Sequence, residues 1–345
     1  MYYMDNLITW YMSNTLLTDL KEVNTPRIQP LIKNKMNLAY KNMEKEYFKL
    51  MPNCNLSTET HVITFEDAGT EFIKQIFKKE VDDDTLVISS KYEHEGVNKE
   101  LNKCKNVLLL EYNKDFLQRG KTLQTIINTA KQYKKVFVYL IGTQISTGQI
   151  TPQSFLYNLK KEFSTNKIKH IIFLDDVHGM FMVPRDYTLF DYILYTAHAI
   201  IPNFNMGVLI SKTGNYGYTA LDVGKEYLPK LKALLQHKET LNLFKRILIE
   251  YFSEYLANPE LQLYQNTVDH IFALQTENLY FTDEQYIQLK QYGITLSEHH
   301  TQFSFIRIRF QEFLLQDSTA ALEGLSLMRR TLDKALCRSR LKGEF

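Results

Sequence analysis

Short, nearly continuous apolar runs recur through the first two thirds of the chain. They are His61–Phe65, Thr85–Ser89, Asn106–Glu111, Lys135–Ile141, Lys169–Leu174, Asp191–Tyr195 and Met206–Ser211. Each is too short for a helix and rich in β-branched residues, as strands buried on both faces require. Between the first five lie stretches whose apolar residues recur at helical spacing: Glu71–Lys79, Gly96–Lys103, Thr122–Tyr133 and Pro152–Phe163. Strand and helix in strict alternation predict right-handed crossovers and a mostly parallel, seven-stranded sheet covered by helices.

The pattern changes after Ser211. Tyr227–Gln236 and Thr240–Ala257 read as helices, the second long and amphipathic. Ile294–Ser297 and Ser304–Phe310 (SFIRIRF) alternate as half-buried antiparallel strands do, and Leu314–Leu336 reads as a helix. The expected fold class is therefore α/β: a large domain over residues 26–238, a smaller α+β domain over 239–345, and an N-terminal segment over 1–25. The end, Cys337 to Phe345, reads as unstructured.

Composition narrows the function classes. The 345 residues suffice for a large core, and 41 basic against 39 acidic residues leave a net charge of +2. No basic surplus points to nucleic acid. The three cysteines, Cys54, Cys104 and Cys337, have no CxxC spacing, so they read as free thiols in a reducing compartment. No run reaches the roughly 18 apolar residues a bilayer span needs, and Met1–Thr18 lacks a basic start like that of a secretory leader. A cytoplasmic protein without membrane or nucleic-acid partners is expected.

Four features sit at predicted strand ends, where open α/β sheets bind ligands. Ala68-Gly69-Thr70 opens a helix, and the free N–H groups there suit a phosphate; a plain turn and cap is the ordinary alternative. Glu93-His94 follows the second strand, where a histidine could stack on a flat ring or simply lie in a surface loop. Asp175-Asp176-Val177-His178 ends the strand KHIIFL, where a carboxylate is costly without a partner. Asp175 and His178 lie three apart across a turn, so both could face one cleft. A metal hydrolase using Asp175, Asp176 and His178 is the rival reading there. Thr196-Ala197-His198-Ala199 precedes the Gly207 strand, and a short loop between the two strands brings Thr196 and His198 to an edge of the sheet.

Together these motifs resemble the fold-type-I pyridoxal-phosphate (PLP) enzymes, particularly the class-V aminotransferase and cysteine desulfurase branch. Ala68-Gly69-Thr70 is similar to the family's small-residue turn, Glu93-His94 to its Glu-His, and Asp175-x-x-His178 to its Asp-x-x-His. Thr196-Ala197-His198-Ala199 is similar to its Ser-x-His-Lys before a glycine-containing hairpin, and the Gln144–Gly148 loop to the loop that approaches the ring. The resemblance implies roles. Ala68, Gly69, Thr70, Thr196 and His198 hold the cofactor phosphate. Asp175 keeps the pyridine nitrogen protonated, His178 bonds the ring oxygen, His94 stacks on the ring and Gln144 approaches it. Arg307, or Arg309 on the same strand face, forks onto the carboxylate of an amino-acid substrate. A homodimer is also implied, with Asn203 and Asn205 near a site shared between subunits.

The departure is Ala199, which stands where the family has its Schiff-base lysine and can neither hold the cofactor covalently nor move a proton. The retained phosphate, ring-nitrogen and ring-stacking positions favour a lysine-to-alanine variant over natural decay. The expected reaction is transamination. A β- or γ-lyase and a non-catalytic binding protein on this scaffold are the alternatives. Desulfuration is demoted because none of the cysteines lies in a loop that would activate a thiol.

Overall fold

All seven apolar runs become strands of one sheet: β1 (Val62–Glu66), β2 (Thr85–Ser90), β3 (Asn106–Leu110), β4 (Lys135–Ile141), β5 (His170–Asp175), β6 (Tyr192–Thr196) and β7 (Gly207–Ser211). The computed structural model describes residues 56, 60–66, 68–90, 93–110, 119–144, 149–179, 183, 185–196, 207–212, 229, 271–275, 281–292, 294–300, 304–310 and 318–342. The strand order is β1-β7-β6-β5-β4-β2-β3. β7 runs antiparallel to both its neighbours, and the remaining pairs are parallel. The expected mostly parallel, seven-stranded α/β sheet is what the chain forms.

The crossovers are α1 (Gly69–Glu80), α2 (Glu95–Leu101), α3 (Arg119–Ala130) and α4 (Gln153–Thr165). In α1, Phe72, Ile73, Ile76 and Phe77 make one buried stripe, while Glu71 and Lys78–Lys79 sit at the ends the helix dipole favours. In α4, Phe155, Leu156, Leu159 and Phe163 do the same.

Alternation along the strands divides the core into two layers. One layer joins Val87, Phe137, Tyr139, Phe173, Leu194 and Leu209 to the buried faces of α1 and α2. The other joins Ile88, Val138, Leu140, Ile172, Leu174 and Ile193 to α3 and α4. Helices therefore cover both faces, and strands buried on both sides read as unbroken apolar runs. The chain leaves β2 through α2 on one face and leaves β4 through α4 on the other. Their exits diverge and open a crevice at the carboxyl ends of β2 and β4, the topological switch point where such sheets bind ligands.

A second sheet, antiparallel and three-stranded, has the order β8-β10-β9, with β8 at Ile271–Gln275, β9 at Ile294–His300 and β10 at Ser304–Phe310. Before β9 comes α5 (Asp283–Gln291), opened by a full capping box between Thr282 and Gln285. β8 and α5 were not expected from the sequence. The final helix, α6, spans Ser318–Lys342. This corrects the expectation of an unstructured end: the helix continues six residues past Leu336 because Cys337–Lys342 contains neither glycine nor proline to stop it. The helices expected at Tyr227–Gln236 and Thr240–Ala257 lie outside the described residues, apart from Pro229, which is helical. Among the described residues, no helix is long and apolar enough to cross a membrane.

Candidate active site

Asp175 and Asp176 are adjacent, so alternation sends them to opposite faces of the sheet. Asp175, the last residue of β5, faces the α1 side with Tyr139 and Phe173. The Tyr139 hydroxyl donates to its Oδ2 at 2.6 Å, and the Val177 N–H donates to its Oδ1 at 3.2 Å. Burial, and to a lesser degree the charge of Asp176, push the Asp175 carboxyl up to about 6 against the pull of the Tyr139 and Val177 hydrogen bonds. Among the described residues this carboxylate has no ion-pair partner, and a cation beside it would offset the cost of its burial.

Asp176 faces the other layer, where its oxygens are taken. Arg185 Nε donates to Oδ1 at 3.1 Å and the Tyr187 hydroxyl to Oδ2 at 2.9 Å. Arg185 also donates to the Thr151 carbonyl at 3.0 Å and to the Gly142 carbonyl. Gly142 and Gly179 must be glycine, because a Cβ on either would lie within 2.3 Å of Asp176 Oδ1. Asp176 is thus a structural clamp across the ends of β4 and β5. Among the described residues, no set of three or more His, Cys, Asp or Glu side chains could hold a metal ion.

The small-residue turn lies where β1 passes into α1. Ala68 precedes the helix without a side-chain cap; the Glu71 N–H donates to the Ala68 carbonyl at 3.2 Å, and the N–H groups of Gly69 and Thr70 at the helix start suit an anionic acceptor. A Cβ on Gly69 would come within 2.6 Å of Thr196 Cγ2, and one on Gly207 within 2.7 Å of the Gly69 nitrogen and 2.8 Å of the Ala68 carbonyl carbon. The start of α1, the end of β6 and the start of β7 are therefore in direct contact, and the structure brings Ala68, Gly69 and Thr196 together as expected. Thr70 meets the next helix instead: a Cβ on Gly96 would lie 3.0 Å from its Cγ2. Thr196 ends an internal strand, since β6 lies between β5 and β7; the expectation that this hairpin lies at an edge of the sheet is corrected. His198 and Ala199 lie outside the described residues.

At the crevice, His94 caps α2, its Nδ1 accepting from the Gly96 N–H at 3.1 Å, and its ring is exposed. Glu93 beside it is buried. Its Oε1 accepts from the Ser90 N–H at 3.1 Å and from the Ser90 hydroxyl, while its Oε2 has no partner. Burial dominates and pushes the Glu93 carboxyl up to about 8, with the Asp175 charge adding to it, so Glu93 is neutral at pH 7. Gln144, from the loop after β4, reaches the same hydroxyl, its Nε2 donating to Ser90 Oγ at 3.5 Å. His178 is buried on the turn after β5. Arg307 and Arg309 lie on β10, the central strand of the small sheet, opposite Ser297 and Thr295 of β9.

Sequence reading missed Tyr139, the neutral state of Glu93 and the Arg185–Asp176 clamp. The one available signal for Tyr139 was a lone hydroxyl inside the apolar run KVFVYLI. The partner of Asp176 lay nine residues downstream, with no pattern to mark it.

The fold is that of the fold-type-I PLP enzymes. Its solved relatives in shape include a NifS-like protein from Rickettsia africae, with TM-score 0.64 and 14% identity over 90% of this chain and 96% of that one. A second NifS-like protein aligns with TM-score 0.63 and 14% identity over 88% of this chain and 89% of that one. Serine palmitoyltransferase from S. paucimobilis, a lysine-to-alanine variant with a bound PLP–myriocin aldimine, aligns with TM-score 0.57 and 10% identity over 87% and 77%. No family model and no curated protein sequence matches the chain.

Proposed function

We propose that this chain is a PLP-dependent enzyme scaffold acting on an amino acid, with transamination as its reaction and Ala199 in the place of the Schiff-base lysine. The observation that carries the reading is the arrangement of Asp175. It is a buried carboxylate with no ion-pair partner among the described residues, on the same face of the sheet as the start of α1 and its glycine-lined contact with β6 and β7. A phosphorylated cationic ring fits both ends of that arrangement. Its phosphate suits the N–H groups of α1, and its protonated nitrogen suits Asp175. When bound, the cofactor supplies an electron sink for a bond broken at the substrate α-carbon.

The chain's own residues then have separate tasks. Ala68, Gly69 and Thr70 bind the phosphate, with Thr196 and His198 as further donors. Asp175 holds the proton on the ring nitrogen. His178 bonds the ring oxygen, His94 covers one face of the ring and Gln144 approaches it. Arg307, with Arg309 as second choice, binds the substrate carboxylate. The large unit over 26–238 carries the cofactor residues and the smaller one over 239–345 the arginine. A homodimer, with Asn203 and Asn205 near the shared site, completes the assembly.

A desulfurase-like or other lyase reaction is the second reading, and the likeness to NifS-like proteins speaks for it. Cys104 does not serve it: burial and the nearby Glu100 push its thiol up, away from the thiolate a nucleophile needs.

The test is an absorbance titration with PLP, with and without a panel of amino acids, on this chain and on Ala199→Lys. A visible band from lysine-bound cofactor in Ala199→Lys, and stable amino-acid adducts only in the alanine form, are expected. No spectral change in either protein sinks the PLP reading. A band without turnover of any amino acid favours a non-catalytic binding protein.

A further inference from the structure

Asp175 is surrounded mostly by groups that oppose its charge. Asp176 follows it in the chain, and Glu93 faces it from the end of β2. His94, at the start of α2, is a cation only when protonated, and His178 lies on the turn beyond. The nearest compensation in the described structure is the pair of hydrogen bonds from Val177 and Tyr139. Tyr139 is placed for this by register. On β4, Ile141 lies opposite Asp175, and Tyr139 is two residues earlier on the same face. Two strand residues span about 7 Å, which the length of a phenol bridges. Its ring is fully buried and fixed edge-on against Phe173, with centroids 4.9 Å apart at 68°, and tilted against Phe77 at 5.9 Å. The ring therefore holds the hydroxyl within hydrogen-bond reach of Oδ2.

We propose that Tyr139 is a positioning residue for the cofactor's ring nitrogen: its hydroxyl fixes the rotamer of Asp175 and keeps that carboxyl ionised at neutral pH. The inference rests on the PLP reading above and extends it to a residue outside the ring's own contacts. Asp175 binds a protonated ring nitrogen only as the carboxylate. A hydrogen bond donated to the charged form holds the proton off, and the Tyr139 bond acts in that direction on Asp175.

Tyr139→Phe keeps the ring and its packing and deletes only the donor. Dissociation constants for PLP, measured by equilibrium dialysis on the Ala199 chain and on Tyr139→Phe, are compared from about pH 5.5 to about pH 8.5. Their ratio cancels the cofactor's own titrations. The expected result is a midpoint about one pH unit higher in Tyr139→Phe, binding weakened roughly fivefold more at pH 6 than at high pH, and a ratio that falls to a constant value above pH 8. A ratio that stays flat across the range, whether at one or at a higher constant value, overturns the proposal, because lost packing weakens binding equally at every pH. A second arm needs no cofactor. The infrared carboxyl band of Asp175, assigned by its loss in Asp175→Asn, is titrated in both ligand-free proteins. It should protonate at higher pH in Tyr139→Phe, and equal midpoints overturn the proposal. If the parent chain binds no PLP at any pH, the PLP reading falls, and the infrared arm still decides whether Tyr139 controls Asp175.

Discussion

Replacing Glu93 with glutamine should stabilise the protein, and by an amount that grows with pH. The Glu93 carboxyl titrates at about 8 in the folded protein against an ordinary value of 4.5. Below pH 4.5 it is protonated in both folded and unfolded chains and costs nothing. Between 4.5 and 8 the unfolded chain loses the proton while the folded chain keeps it, so stability falls by about 1.4 kcal/mol for each pH unit. From 4.5 to 7 is 2.5 units, so at pH 7 the cost is about 3 kcal/mol, and at pH 5 it is under about 1 kcal/mol. Glutamine carries no such cost. Its carbonyl can accept the two Ser90 hydrogen bonds that Glu93 Oε1 accepts now. Its amide then stands where Oε2 has no partner, beside a Gln144 whose Oε1 also has none. Urea unfolding of parent and Glu93→Gln at pH 5, 6, 7 and 8 reads the difference directly. A gain that rises from near zero at pH 5 to about 3 kcal/mol at pH 7 supports the reasoning. A difference independent of pH refutes it, since the titrating group would then not be Glu93.

Two further outcomes follow from contacts around the crevice. Arg185→Leu leaves Asp176 as an uncompensated charge in a site where both side chains are 1% exposed or less. It should lose about 3–5 kcal/mol in urea unfolding, and adding Asp176→Asn should restore part of that loss. Gly207→Ala drives a methyl group against backbone atoms of Ala68 and Gly69 that cannot rotate away. It should cost about 1–3 kcal/mol by thermal or urea unfolding and weaken PLP binding as the first turn of α1 shifts.

The large sheet was legible because helices cover both faces of its inner strands. Those strands are unbroken apolar runs, β3 is apolar although Val107 and Leu109 are exposed, and the seven expected runs match the seven strands to within one residue at either end. β8 (Ile271–Gln275) escaped because it stands outside the strand–helix alternation that marks the large sheet, and α5 (DEQYIQLKQ) because it buries little besides Leu289. α5 is marked by its Thr282–Gln285 capping box, a signal present in the sequence but easily passed over without an apolar stripe after it. At the site, the sequence showed which strand ends carry Asp175, His94 and Thr196. It also pointed to Asp175 over Asp176 only through resemblance. The physical reason is strand parity, which depends on knowing that β5 ends at Asp175 and that Arg185 returns from nine residues downstream to hold Asp176. Tyr139 was hidden because a buried tyrosine in an apolar strand reads as core until its register against β5 is known.

The edge strand β1 has consequences for how this protein is made. Among the described residues its one neighbour in the sheet is β7, with Val62 opposite Ser211, a separation of 149 residues. At a synthesis rate of roughly 5–20 residues per second, β1 waits about 7–30 s after emerging before its partner exists. Closing so long a loop is also among the slower steps in folding. The glycine-lined contact at the start of α1 is divided in the same way: Ala68 and Gly69 come from the early segment, Thr196 and Gly207 from the late one. A ligand seated there touches both ends of the interval, so it acts as a clasp on the last seam of the sheet to close. The nascent chain is most in need of protection while that clasp has nothing to fasten.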